Sequence, residues 1–349
     1  MSTYGHGGDI YALDRPVLDF SININPLGMP EAVKEAICSH AEDYAVYPDT
    51  HCRALRAALS AHTGVPAEQI LCGNGASDLI FRLCHTLRPK ETLVCAPTFS
   101  DYERDAVSAG SRIRRHTLRA EDDFLITEAI LSDITEDTDL VFLCNPNNPT
   151  GQVTDSSLIR RIADRCREMQ AFLLIDECFL CFTGRESFLG QRKPEDTHVL
   201  VLNAFTKQYS MAGIRLGWLV CSDEALLSRL EDAAPYWNVS TVAQVAGIAA
   251  LDCGDWFRES LELLKEERPW LAEALAKLGI RVFPGQANYL LLHCPEEVWG
   301  NVYERLLAED ILIRPCGNYH GLNEEYYRVC VSRHPDNEKL VQAFAGLKG

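Results

Sequence analysis

Residues 198–220 read HVLVLNAFTKQYSMAGIRLGWLV, two short apolar runs of strand length with a polar insert between them. The insert carries one lysine, Lys207, with Thr206 immediately before it and Arg215 just ahead of the second run. A lysine held between two segments of buried character is out of place as a solvated charge. Amine, hydroxyl and guanidinium together suit Schiff-base chemistry, with the amine for a carbonyl and the arginine for a phosphate. The ordinary alternative is a surface loop lysine, with Arg215 in a structural ion pair.

Working outward, these two runs are the last of a series. QILC (69–72), TLVCA (92–96), RIRRHTL (112–118), LVFLC (140–144) and AFLLI (171–175) precede them, with helical patterns between most, such as 78–87, 102–109 and 155–170. Strand–helix alternation predicts an α/β fold, a mostly parallel seven-stranded sheet covered on both faces, in a large domain over 45–250. Ligands of such sheets bind beyond the carboxyl ends of the strands, so chemistry is expected just after each run. Past residue 220 the pattern changes to long helices, 223–234, 239–252 and 255–278, and then to short strands near 281–283, 288–292, 311–314 and 327–331. This predicts a smaller α+β domain over 251–349, completed by an N-terminal arm, 1–44.

Composition narrows the function. A chain of 349 residues, 47% hydrophobic, buries a large core. Its formal charge of −17 argues against nucleic acid or an anionic membrane as partner, though not against a small anion held by local arginines. The fourteen cysteines are scattered beside apolar residues, and MSTYGHGGD has neither a basic nor an apolar leader region. A reduced, cytoplasmic chain is therefore expected. The one CxxC pair, Cys178 and Cys181, lies among Phe179, Leu180 and Phe182 and lacks a second pair at zinc spacing, so it reads as packing, and no metal is expected. No run of eighteen apolar residues exists to span a membrane.

Five segments follow strand ends. In CGNGASD (72–78), Gly73 and Gly75 permit a tight turn that aims the N–H groups of Ala76 and Ser77 at an anion; an ordinary strand–helix turn with a polar cap is the alternative. In APTFSDY (96–102), Phe99 is placed to stack on a planar ring or simply to pack, and Tyr102 has no assignable role. In CNPNNPTG (144–151), two Asn-Pro steps make a rigid turn, with Asn148 able to bond a phenolic oxygen. In LLIDECF (173–179), Asp176 needs a partner wherever it is buried, either a protonated ring nitrogen or an arginine. The fifth is the Lys207 segment. Each has a bland explanation alone, but together they supply the groups that one cofactor, pyridoxal 5′-phosphate, requires.

With these motifs in place, the chain resembles the fold-type I pyridoxal-phosphate enzymes, in the branch of histidinol-phosphate aminotransferase and threonine-phosphate decarboxylase. The resemblance runs from HGGD (6–9) to YYRVCVSR (326–333). It implies that Lys207 bonds the cofactor, Asp176 partners its ring nitrogen, Asn148 its ring oxygen, and Phe99 stacks on it. Ala76, Ser77, Thr206 and Arg215 are implied to form its phosphate cup. Tyr47, in VYPD, is implied to reach the phosphate of a neighbouring subunit, hence a homodimer with shared active sites. Arg328 is implied to hold a substrate α-carboxylate. Two departures stand out: Phe179 where many aminotransferases of the group carry tyrosine, and Ala204 where Ser or Thr is usual.

YGHGGD (4–9) followed by DFSININPLG (19–28) is similar to the decarboxylase pattern within that branch. The resemblance places His6 and Gly7 near a substrate phosphate and Asn23 against the substrate. Arg314, in ILIRPCGNYHGL (311–322), would grip the phosphate by charge-assisted hydrogen bonds. It implies decarboxylation of L-threonine O-3-phosphate to (R)-1-amino-2-propanol O-2-phosphate, the linker precursor of the cobalamin nucleotide loop. A histidinol-phosphate-type aminotransferase and a non-catalytic ligand-binding relative of the fold are the alternatives. A glycine-rich terminal tail is the bland reading of HGGD.

Overall fold

The computed structural model describes residues 6–348; Tyr4 and Gly5 of the YGHGGD motif lie outside them. In chain order the strands are β1 (Leu18–Asp19), β2 (Ile70–Gly73), β3 (Glu91–Ala96), β4 (Arg112–Thr117), β5 (Leu140–Cys144) and β6 (Phe172–Asp176). There follow β7 (Val199–Ala204), β8 (Gly217–Val220), β9 (Arg281–Val282), β10 (Tyr289–His293), β11 (Ile311–Leu312), β12 (Arg314–Pro315) and β13 (Tyr326–Cys330).

The large sheet has seven strands in the order β2-β8-β7-β6-β5-β3-β4. Only β8 is antiparallel to its neighbours β2 and β7; the β7-β6, β6-β5, β5-β3 and β3-β4 pairs are parallel. The apolar runs divide by alternation. Leu174, Leu200, Leu202, Leu140 and Phe142 join one core, while Leu173, Ile175, Val199, Val201, Val141 and Leu143 join the other. A strand buried on both faces needs no polar side, hence the unbroken apolar runs.

Helices Ala76–Leu87, Ser100–Ser108 and Ser156–Glu168 follow β2, β3 and β5. The first begins two residues earlier than its periodicity suggests, because Gly75, at φ +84°, turns the chain out of β2 and straight into the helix. Among the described residues, no helix is long and apolar enough to cross a membrane.

The second sheet has the order β12-β13-β10-β9, and Gly254–Lys277 and His334–Gly346 pack against each other beside it. The single strand expected over 311–314 is two. Ile311–Leu312 pairs with β1 of the N-terminal arm, whereas Arg314–Pro315 pairs with β13. The arm is thereby woven in: the Phe20 N–H donates to the Leu312 carbonyl (2.7 Å), and the Cys330 N–H donates to the Phe20 carbonyl (2.9 Å). After β1 the chain crosses to the large sheet, where the Asn25 N–H donates to the Lys207 carbonyl at 3.0 Å.

Candidate active site

The carboxyl ends of β2, β3, β5, β6 and β7 meet along one edge of the large sheet. Because β8 runs the other way, its first residue lies at that same edge, opposite the last residues of β2 and β7. Arg215, just before β8, is thus delivered to the place where the other strands end. A cleft of about 990 Å³, counted to its open mouth, lies there between the sheet edge and the second sheet. Its walls contain His6, Gly7, Asn23, Ala76, Ser77, Phe99, Asn148, Asp176, Thr206, Lys207, Arg215, Arg314 and Arg328. Of the site residues expected from sequence, Tyr47 alone is elsewhere: it is 75% exposed and stacks on Trp237, ring centroids 4.1 Å apart.

Asp176 ends β6 and is buried. One carboxylate oxygen accepts the Tyr102 hydroxyl (2.6 Å) and the other accepts the Cys178 N–H (2.9 Å). No ion pair forms on it among the described residues, so the arginine alternative does not hold. Tyr102, to which the sequence assigned nothing, is its holder. The tyrosine is fully buried, stacked on Phe142 (4.8 Å) and edge-on to Phe99 (5.5 Å), and burial drives its hydroxyl well above the usual range, so it stays a donor. The only sequence signal was its spacing, one helical turn past Phe99.

Lys207 follows β7 in a one-turn helix, with its amine 5.8 Å from the centroid of Phe179. Burial first, then the Arg328 charge, lower its pKa to about 8. About a tenth of the amine is therefore neutral and nucleophilic at pH 7.

The helix Ala76–Leu87 starts with no side-chain cap, since its N-cap is Gly75. A Cβ on Gly75 would stand 2.5 Å from the Arg215 guanidinium, and one on Gly217 would stand 2.7 Å from the Ala76 nitrogen. Both glycines are what let Arg215 and the helix start converge into an anion cradle. Arg215 donates to the Ala212 carbonyl (3.2 Å) and pairs with no carboxylate among the described residues. The Ser77 hydroxyl is committed to Asp101 (3.0 Å).

Across the cleft, Arg314 and Arg328 stand directly opposite each other in the antiparallel β12-β13 register, both buried. Arg328 donates to Asn148 Oδ1 (2.5 Å) and to the Ser21 carbonyl (2.8 Å), but its Nε has no partner among the described residues. Arg314 donates to the Pro315 carbonyl (2.5 Å) and to Asn318 (2.9 Å), with its guanidinium 5.3 Å from the Tyr319 ring. Asn23 is buried, and its Oδ1 has no partner among the described residues.

The donor set fits pyridoxal 5′-phosphate: an amine of lowered pKa, a buried acid held by a hydroxyl and a backbone N–H, a stacking ring, and an uncapped helix start beside an arginine. The orphaned Arg328 Nε and Asn23 Oδ1 call for further polar groups in the cleft.

A mostly parallel sheet that opens at its carboxyl edge onto one such lysine places the chain in the fold-type I α/β class. The model of the aminotransferase class I and II family matches residues 15–344, and the chain belongs to that family. It is 41% identical over 332 residues to the threonine-phosphate decarboxylase of Salmonella typhimurium, covering 95% of this chain and 91% of that protein. It is 34% identical to the histidinol-phosphate aminotransferase of Methanosarcina mazei, over 94% of this chain and 87% of the other. The crystal structure of the histidinol-phosphate aminotransferase from Clostridium acetobutylicum matches with a TM-score of 0.89 at 30% identity, covering 95% of this chain and 99% of that one.

Proposed function

We propose that the protein removes CO2 from L-threonine O-3-phosphate, forming (R)-1-amino-2-propanol O-2-phosphate for cobalamin assembly, with pyridoxal 5′-phosphate as cofactor. The observation that carries this reading is the opposition of Arg314 and Arg328. Two arginines directly opposite each other in a strand pair put two positive charges on one wall of the cleft, and a ligand with two anionic groups matches both. Threonine phosphate carries a carboxylate and a phosphate on one small molecule.

The residues divide the work. Lys207 would hold the cofactor through its amine. Ala76, Ser77, Thr206 and Arg215 hold the cofactor phosphate, Phe99 lies against its ring, Asn148 meets its ring oxygen, and Asp176 keeps a proton on its ring nitrogen. When bound, the cofactor supplies an electron sink for the pair left at the α-carbon. Arg328 grips the carboxylate, while Arg314, His6, Gly7 and Asn23 take the phosphate, so the substrate is fixed at both ends with one bond presented for cleavage. Lys207 returns a proton to the α-carbon after CO2 departs. Tyr47 serves the site of a second copy in a homodimer; its ring, with Val46, Tyr236 and Trp237, forms an exposed apolar patch suited to a partner surface.

Incubating the protein with O-phospho-L-threonine and pyridoxal phosphate alone should release one CO2 per amine product. Turnover that appears only with 2-oxoglutarate, or with histidinol phosphate in place of threonine phosphate, assigns the chain to transamination instead.

A further inference from the structure

Asp101 lies in the cleft wall, yet none of the roles above uses it. It sits in the first turn of Ser100–Ser108, with its side chain 4% exposed. One oxygen accepts the Ser77 hydroxyl at 3.0 Å. The other lies 3.0 Å from His6 Nε2 and 2.9 Å from Arg104 Nη1. Burial pushes this carboxyl up, but His6 and Arg104 more than offset that and hold it below the usual range. His6 is half exposed, its ring tilted over Phe99 at 5.7 Å, so its place depends on few other contacts.

The residues after His6 are anchored on the opposite wall. The Gly8 N–H donates to the Ser21 hydroxyl at 2.7 Å, and that hydroxyl donates to Asp19 at 2.6 Å. A Cβ on Gly7 would stand 2.3 Å from the Ser21 carbonyl oxygen, and one on Gly8 would stand 2.7 Å from Ile22. The same Ser21 carbonyl accepts from Arg328. Residues 6–8 thus form a short strap, pinned at one end to the large-domain helix and at the other to the segment that holds Arg328.

We propose that Asp101 is a positioning residue for substrate: acting through His6, it pins the strap across the cleft, so that Gly7 and Ser21 form the wall against which the substrate binds. The proposal rests on the phosphorylated-substrate reading given above. Asp101 touches neither end of the substrate; its effect passes through His6, and the link to Ser77 ties the strap to the cofactor cradle.

Three variants test it: Asp101→Asn, His6→Ala and the double substitution. His6 is exposed enough that its removal leaves the core intact. Asp101→Asn should raise KM for O-phospho-L-threonine about two- to fivefold, the range of one partly exposed ion pair, with kcat changed less than about threefold, and His6→Ala, which also loses its own phosphate contact, should raise it at least as much. The double variant should match His6→Ala alone, because Asp101 acts only through His6. Hydrogen exchange at the Gly7 and Gly8 amides, measured without substrate, should quicken in Asp101→Asn. Multiplying effects in the double variant, or unchanged exchange at the strap, would overturn the proposal. If the unmodified protein forms no CO2 from O-phospho-L-threonine, the functional reading falls, while the exchange measurement still decides whether Asp101 pins the strap.

Discussion

Lys207 and the two opposed arginines make the sharpest residue-level demands. With its pKa lowered to about 8, the lysine amine is neutral in a share that grows about tenfold per pH unit below that value. Only the neutral amine attacks a carbonyl. The rate at which the cofactor-free protein takes up pyridoxal phosphate, followed by visible absorbance, should therefore climb to about pH 8 and then level off. Arg328→Gln removes a charge that helps lower this pKa, so its plateau should begin at higher pH; an unmoved profile would refute that cause. Lys207→Ala should lose both the band and CO2 release. If Arg314 grips the substrate phosphate as proposed, Arg314→Ala should raise KM for phospho-threonine by about 10–100-fold, with unphosphorylated threonine little affected.

At the scale of elements, the site depends on one reversed strand. Were β8 parallel to β7, Arg215 would fall at the opposite edge of the sheet. The close approach of β8 to the start of Ala76–Leu87 leaves no room for a side chain at position 217. Gly217→Ala forces two backbones apart, which should lower stability by about 1–3 kcal/mol and weaken cofactor binding, read by unfolding and by titration of the apoprotein. Gly213→Ala meets no atom within 4 Å and serves as the control. Most strands of the large sheet were legible because they are dense apolar runs, β5 coinciding with LVFLC, whereas the edge strand β4, RIRRHT, is largely polar. Glu31–Ser39 was not legible, since it spans only nine residues and Val33 is its only fully buried one. The split of 311–314 was equally hidden, because Ile313 is buried and continues the apolar pattern while the backbone changes partners. Tyr102 escaped for a different reason: its value lies in a contact with Asp176, far away in sequence.

Across the molecule, burial puts an ionisable group at odds with pH. Glu177, beside Asp176, accepts the Phe188 N–H (2.8 Å) and the Ser187 hydroxyl, yet burial raises its pKa from 4.5 to about 7. The folded state therefore holds its proton more tightly than the unfolded chain does. That stabilisation is full below pH 4.5 and is lost as pH rises to about 7. It amounts to on the order of 3 kcal/mol. Glu177→Gln, compared with the parent by denaturant unfolding at pH 4.5 and pH 8, should gain relative stability at the higher pH. A gap that stays constant would show the carboxyl to be ionised throughout.

The weaving of the arm also has a consequence for biosynthesis. β1 pairs with β11, and Phe20 bonds to Cys330, so part of the substrate wall joins residues made near the start to residues made near the end. Such distant closures come late in folding. On the ribosome, the large sheet and its lysine cradle are complete in sequence by residue 220, while the arm still waits for its partners. The nascent chain should thus become competent for cofactor before it can enclose a substrate, and a chain truncated ahead of β11 should never gain the second capacity.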